Sequence, residues 1–341
     1  MRWDLYEPRF RDLAERQGIL DKNINEYLAY AENLYKKNLP VIFDHTHLSL
    51  LIGIDNEYLH RISNAPKYFY RTFHIKKRNG KLRRIDEPLP DLKKVQTWIL
   101  KEILYKIPCS KFAKAYVPKT SIKDNTRFHK KQKIVLTLDI KDFFPSIKSG
   151  YVLNLFLSCG YNLPVAVFLT RLCCLNESLP QGAPTSAYLS NLVLKKFDYN
   201  ISEYCKKNNI RYTRYADDLT FSGDFNIASV LFLVDTELKY LNLKRNNKKV
   251  KVMRNNSRQC VTGIVVNDIQ QLCREYRMKI RQEVHFIEKF GLDDHLAHIG
   301  EQRVNYVEHL SGKINYVLSV NPKDEKMQEY KKSIDTIKYQ T

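Results

Sequence analysis

Apolar residues recur at helical spacing through Ile24, Leu28, Ala31 and Leu34, and again through Leu48, Leu50 and Leu51, so residues 1 to about 60 read as helix. From Tyr68 to Pro88 the pattern becomes strand, interrupted at Asn79-Gly80, the strongest short-range hairpin signal. Helical spacing returns over 91–107. The block from Lys133 to Ile140 is apolar and β-branched enough for a buried strand, and Pro145 bars its continuation. Helical stretches at 149–174 and 184–206 precede two short β-prone runs, Tyr212-Thr213-Arg214 and Leu219-Thr220-Phe221-Ser222. Residues 227–241 read as helix, 248–266 as strands and 271–340 as mostly helix. Helices alternating with local hairpins predict an α+β fold, an antiparallel sheet with helices on one face.

The two β-prone runs are joined by Tyr215-Ala216-Asp217-Asp218. A tight turn there thrusts two like charges out of one sheet edge, which is tolerable only if solvent or a cation neutralises them. Acids are also common in turns for local hydrogen bonding, so the pair alone leaves a solvated turn open. A third acid, Asp139, ends the apolar strand 78 positions before Asp217. A carboxylate at the end of a buried strand costs several kcal/mol unless it is paired or ligates metal. It can also cap the turn that follows. Together the three acids point to hard divalent cations.

The charge narrows what such cations serve. Lys and Arg number 57 against 37 Asp and Glu, a formal net charge of +20, which suits a polyanionic partner. The excess is clustered: Lys244, Arg245, Lys248, Lys249, Lys251, Arg254 and Arg258 occur between Leu241 and Arg258 with no acid among them. The predicted hairpin carries Lys76, Lys77, Arg78, Lys81, Arg83 and Arg84, as a solvated ribbon or a phosphate clamp. Tyrosines, 22 in all, supply stacking surfaces beside the bases. No apolar run approaches the roughly 20 residues that span a bilayer, so no membrane role is expected. Seven cysteines with no C-x-x-C pair argue for reduced thiols, and Met1-Arg2-Trp3-Asp4 lacks the apolar core of a secretory signal. The expected compartment is the cytoplasm.

Between the acidic strands lies Leu179-Pro180-Gln181-Gly182-Ala183-Pro184-Thr185-Ser186. Its prolines exclude regular helix or strand; Thr185 or Ser186 is placed to cap the helix that follows, and Gly182 permits close approach of a ligand. A plain spacer would look the same.

The order Asp139-Ile-Lys-Asp-Phe-Phe-Pro-Ser-Ile, then Leu179-Pro-Gln-Gly-Ala-Pro-Thr-Ser, then Tyr215-Ala-Asp-Asp resembles the first three palm motifs of reverse transcriptases. Leu243-x-x-Asn246-x-x-Lys249 resembles the fourth. Asn125-Thr126-Arg127-Phe128-His129 and Val261-Thr262-Gly263 are similar to elements of the retron branch, with Thr126 where an Ala is usual and Val250 where Thr is frequent. The resemblance runs from about Tyr68 to Gly312.

The resemblance implies a right-hand polymerase: an N-terminal helical extension over 1–60, fingers over 61–135, palm over 136–268 and a helical thumb over 269–341. It implies that Asp139, Asp217, Asp218 and the Ile140 carbonyl hold two Mg²⁺ ions. Lys81, Arg83, Gln181 and Lys249 would meet the incoming dNTP, and Phe144 would exclude a 2′-OH unless it is simply a core aromatic. Tyr215 and Gly182 would lie near primer and template. Asn125, His129, Val261, Thr262 and Gly263 would touch a cognate structured noncoding RNA, although a lone His is commonly a satisfied structural group. A basic thumb face, through Arg274, Lys279, Arg281, Lys289 and Lys313 among Ile280, Phe286, Val304 and Leu310, would meet the duplex. Leu310-Ser311-Gly312-Lys313-Ile314-Asn315-Tyr316 would be a helix break at that contact or an ordinary bend.

The implied activity is RNA-directed DNA synthesis primed from an RNA 2′-OH, giving a branched RNA-DNA product in an antiphage system with a separate effector protein. An abortive-infection or group II intron-like reverse transcriptase, or a non-catalytic RNA-binding scaffold, are the alternatives.

Overall fold

The computed structural model describes residues 2–77 and 80–338. The chain divides into two compact units, one formed by residues up to 118, 140–202 and 231–246, the other by 119–139, 203–230 and 247 onward.

The first unit opens with four helices, Trp3–Arg16, Asp21–Lys36, His45–Ile52 and Asn56–Asn64. Asp44 and Asp55 cap the last two, accepting from the His47 and Tyr58 amides, which fixes where those short helices start. The predicted apolar stripe holds for Ile24, Leu28, Ala31 and Leu34, all buried. It fails at Leu50 and Leu51, which are 77% and 42% exposed; Leu48 and Ile52, one turn apart, form the inward face instead.

Strands β1 (Tyr70–Lys76) and β2 (Leu82–Pro88) form the expected hairpin, with Ile75 opposite Arg83. Arg78 and Asn79, half of the predicted turn, lie outside the described residues; Gly80 has φ 78°. Helix Pro90–Glu102 follows, then Ser149–Cys159, Leu163–Cys173 and Ser186–Val193. The predicted single stretch over 149–174 is two helices, because Gly160 at φ 104° turns the chain between them.

The second unit holds a four-stranded antiparallel sheet. Its strands are β3 (Ile134–Asp139), β4 (Arg211–Tyr215), β5 (Asp218–Gly223) and β6 (Lys251–Arg254), in the order β4-β5-β3-β6. Strand β3 is buried at five of six positions, as its unbroken apolar run requires of a strand covered on both faces. Three short strands, β7 (Cys260–Val261), β8 (Ile264–Val265) and β9 (Gln271–Leu272), make a second antiparallel sheet.

Helices Arg274–Phe290, Leu292–Ile299, Tyr306–Val320 and Glu325–Lys338 complete this unit. Val261, Ile264, Ile280, Val284, Leu310, Ile314 and Val317 share one apolar core. That core keeps Tyr306–Val320 continuous through Gly312, where a break or bend was expected, and so outweighs the roughly 1 kcal/mol helix penalty of a glycine. Two other thumb expectations need correction. Val304 is fully exposed, and Lys313 turns inward to both Glu283 carboxylate oxygens at 2.9 Å, leaving the basic face.

Candidate active site

Antiparallel register puts Asp139, the last residue of β3, directly opposite Asp218, the first of β5. Tyr215 pairs with Asp218 across the hairpin, so Ala216 and Asp217 alone form the connection. Ala216 sits at φ 58°, a left-handed conformation unusual for a residue with a Cβ. The Arg214 Nη1 donates to the Ala216 carbonyl at 3.1 Å and is fully buried, so a cation under the turn holds it in that conformation. Sequence reasoning missed Arg214; its charge in a β-prone run next to the acidic turn was the available signal.

Three acids gathered this way repel. Burial and then the charges of Asp217 and Asp139 push the Asp218 carboxyl up to about 6, against the opposing pull of Lys249 and Lys251. Lys249 brings its ammonium to 2.5 Å from the Asp139 carboxylate. Burial pulls the Lys249 pKa down, but the Asp139 hydrogen bond and the three carboxylate charges outweigh it, and the pKa is raised. Among the described residues no three His, Cys, Asp or Glu side chains are gathered closely enough to hold an ion as they stand. The donors still suit a hard divalent cation: oxygen ligands only, two on strand ends fixed by register and one in the turn between strands, whose repulsion a cation would relieve. The ammonium at Asp139 already occupies the position of a counter-charge.

Ile140, Phe144, Lys81, Arg83, Gln181 and Gly182 lie in the first unit. Ile140 forms a β-bridge with Arg245, and the Lys141 amide donates to the Lys244 carbonyl at 2.8 Å, which fixes the chain just beyond Asp139. Phe144 is half-buried and packs against Phe143 and Tyr116, with ring centres 5.3 and 6.5 Å away. Arg83 and Gln181 line one cavity of about 330 Å³, together with Arg84, Asp142 and Pro145. Lys81 is exposed on the same hairpin.

Gly182 makes a close approach within the protein. Its φ is 139°, and a Cβ there would stand 2.7 Å from the Asp86 carbonyl oxygen, while the Gln181 carbonyl accepts from the Asp86 amide at 2.9 Å. This close approach to β2 clamps Gln181 to the basic hairpin. Thr185 and Ser186 do not cap: Thr185 already has helical backbone angles and its side chain makes no capping hydrogen bond, and the Ser186 hydroxyl bonds to no group among the described residues.

The residues expected to touch RNA are mostly internal. Asn125 and His129 are fully buried, so in this structure their side chains face the interior. His129 Nδ1 is 2.7 Å from Ser222 Oγ and Nε2 is 2.8 Å from Thr213 Oγ1. The Thr213 hydroxyl donates to Asn125 Oδ1 at 2.7 Å, and Asn125 Nδ2 donates to Thr262 Oγ1 at 3.4 Å. With its one proton given to Asn125, Thr213 must accept from Nε2–H, so Nδ1 accepts from Ser222 and the ring is a neutral Nε2–H tautomer. Burial, and then the charge of Arg211, push its pKa down to about 3. This chain of hydrogen bonds braces β4 and β5 behind the acidic tip.

Val261 is likewise a core residue, while Thr262 and Gly263, at φ 46° and 87°, form the two-residue turn between β7 and β8. Of the Val261-Thr262-Gly263 segment, Gly263 alone is exposed. The unusual Thr126 is buried too, and its hydroxyl accepts from Gln270 Nε2 at 2.6 Å.

Residues 75–286 match the family described as reverse transcriptase (RNA-dependent DNA polymerase). The chain is 32% identical over 291 residues to the retron Ec86 reverse transcriptase of Escherichia coli, covering 84% of this chain and 87% of that one. It is also 32% identical over 327 residues to the retron Mx65 reverse transcriptase of Myxococcus xanthus, covering 89% and 74%. Among solved structures, a foamy viral protease-reverse transcriptase in complex with double-stranded DNA resembles it with a TM-score of 0.42 at 14% identity, covering 72% of this chain and 35% of that one. Telomerase from Candida albicans gives 0.41 at 11%, covering 79% and 63%.

Proposed function

Because the chain belongs to the retron-type reverse transcriptases, and so is an RNA-directed DNA polymerase of the right-hand fold, we propose that it copies a cognate structured noncoding RNA into branched, RNA-linked single-stranded DNA, primed from an RNA 2′-OH. The observation that carries the catalytic reading is the register opposition of Asp139 and Asp218 on strand ends, with Asp217 in the turn beside them, three repelling carboxylates gathered together. A stability-driven scaffold would have no use for it.

Asp139, Asp217, Asp218 and the Ile140 carbonyl are the groups that would hold two Mg²⁺ ions. Bound there, the metals would activate the primer hydroxyl and neutralise charge on the departing pyrophosphate. Asp139 must then release Lys249, whose freed ammonium is placed to meet phosphate or protonate the leaving group. Lys81 and Arg83 grip the triphosphate, Gln181 positions the nucleotide from its clamp on β2, and Phe144 blocks a 2′-OH. Tyr215 packs by the primer end. In these terms residues 1–60 are an N-terminal extension, 61–135 fingers, 136–268 palm and 269–341 thumb.

By its family the enzyme would act in the cytoplasm in antiphage defence beside a separate effector protein. Among the described residues no helix is long and apolar enough to cross a membrane.

The test is the nucleic acid that copurifies with the chain. A species carrying RNA joined to DNA through a debranching-sensitive 2′,5′ linkage, absent from the Asp217→Asn preparation, is expected. RNA alone in both preparations would overturn the polymerase reading in favour of a scaffold, and linear DNA would favour another reverse transcriptase branch.

A further inference from the structure

In the first unit, Tyr116 stands at φ 60°, a left-handed backbone that a bulky residue adopts only where its surroundings impose it. Glycine or asparagine would take it with less strain. The flanking chain is anchored. Ala113 and Ala115 are buried, and the Ala115 carbonyl accepts from Asn191 Nδ2 at 2.8 Å, with Asn191 itself fully buried on helix Ser186–Val193. This fixed backbone dictates where the Tyr116 side chain goes, and it does not go into the core: Tyr116 is 49% exposed. Its ring centre lies 6.5 Å from that of Phe144, with planes at 47°, within the range of aromatic pairs.

Phe144 needs such a neighbour. Its backbone is set by the short helix Phe143–Ser146, which starts from Asp142 at φ 46°: the Ser146 amide donates to the Asp142 carbonyl at 3.0 Å and the Ile147 amide to the Phe144 carbonyl at 3.1 Å. Those bonds do not set the torsions of the ring, which is only half-buried. Phe143 supports it from within the same helix, at 5.3 Å, and Tyr116 from a separate segment. Asp142 and Pro145, which bracket the two phenylalanines, line the cavity that also holds Arg83 and Gln181, so Phe144 adjoins the proposed nucleotide site. A steric filter that tells ribose from deoxyribose by one oxygen works only if its ring is held to within about 0.5 Å.

We propose that Tyr116 is a positioning residue for sugar discrimination, its ring bracing Phe144 in the orientation that excludes a 2′-OH. The inference rests on the gate role proposed above for Phe144 and adds the residue that keeps the gate in place. The strained backbone at Tyr116 is what aims the brace. The ring acts and the phenol hydroxyl does not, since the contact is ring to ring.

The test is primer extension by the full chain with a dNTP or the matching rNTP, read as the ratio of the two kcat/KM values, which does not depend on how much of a preparation is folded. The variants are Tyr116→Phe, Tyr116→Asn, Tyr116→Gly, Phe144→Ala and the double variant Tyr116→Asn with Phe144→Ala. Asparagine and glycine both fit φ 60°, so they remove the ring without straining the turn. Each should raise use of the rNTP relative to the dNTP by about 2- to 12-fold, the contribution of one aromatic pair, while Tyr116→Phe keeps the parent's ratio. In the Phe144→Ala background, Tyr116→Asn should leave the ratio where Phe144→Ala alone puts it. A purely structural Tyr116 would lower extension with both nucleotides alike and leave the ratio fixed, which overturns the proposal. If Phe144→Ala relaxes the ratio and neither Tyr116→Asn nor Tyr116→Gly does, the brace alone falls; if Phe144→Ala leaves the ratio unmoved, the gate reading falls and takes the brace with it.

Discussion

The acidic tip and the hydrogen-bonded chain behind it share the β4-β5 hairpin and treat polar groups in opposite ways. At the tip, Asp139, Asp217 and Asp218 gather like charges whose repulsion pushes one carboxyl up to about 6. Around His129, a chain of hydrogen bonds joins Ser222, His129, Thr213 and Asn125 in the interior. The first arrangement stores electrostatic energy for a ligand to release; the second fixes the strands so that the first stays in place.

The sharpest way to break the comparison is to neutralise one acid. Asp217→Asn, or Asp139→Asn, should reduce DNA synthesis at least about 10³-fold, as loss of a metal-holding group does, while RNA affinity and thermal midpoint hold or rise because repulsion is relieved. Primer extension with dNTPs and Mg²⁺, read beside a melting curve, checks both halves. A variant that keeps polymerising removes the metal assignment.

The mirror-image experiment is His129→Leu. It leaves the Thr213 and Ser222 hydroxyls facing an apolar group in a sealed site, and should destabilise the fold by about 2 to 4 kcal/mol. Urea unfolding measures this. Per folded molecule, synthesis should fall far less than for Asp217→Asn.

What the sequence revealed divides along the same line. The acids were legible because adjacent carboxylates and a strand-terminal Asp carry their chemistry in a few neighbouring residues. The chain around His129 was legible as a pattern and not as a role. Whether a polar side chain faces a ligand or the core depends on partners 93 positions away at Ser222 and, for Asn125, 137 away at Thr262, which no local spacing encodes. The same holds for Arg214, buried under a turn, and for Gly182, whose partner is the backbone of β2. Lys313 misled for a related reason, since helical periodicity places it on a face while Glu283 decides which way its ammonium turns.

Acidity should set the two regions against each other. The His129 pKa is depressed from 6.5 to about 3 by burial, so above pH 6.5 the ring is neutral folded or unfolded. Below it the unfolded chain gains a proton that the native chain refuses, and stability falls by up to about 1.4 kcal/mol per pH unit towards pH 3. Asp218 runs the other way: its raised value of about 6 means stability is lost as pH rises from 3.8 through 6, and regained as pH falls. In chelator-containing buffer the two slopes should nearly cancel between pH 6 and 4 in the parent. Asp218→Asn should uncover the downward slope on acidification, and His129→Gln the upward one. Identical pH profiles for all three proteins would show that neither group carries the linkage.

The smallest effect belongs to the turn between β4 and β5 that carries Asp217. Ala216 is held at φ 58°, where an L-residue pays about 1 to 2 kcal/mol that glycine avoids. Glycine also brings about 0.5 to 1 kcal/mol of extra unfolded-state entropy and removes a buried methyl. Ala216→Gly should therefore change unfolding stability by less than about 1 kcal/mol. Activity should respond more than stability, since Arg214 then holds the carbonyl of a more pliable turn and Asp217 loses part of its fixed placement beside Asp218. A several-fold fall in the rate of nucleotide addition with an unchanged dNTP KM is the expected signature. A fall in stability without one would mean that Ala216 is retained for packing and that the acid's position is set by the strands alone.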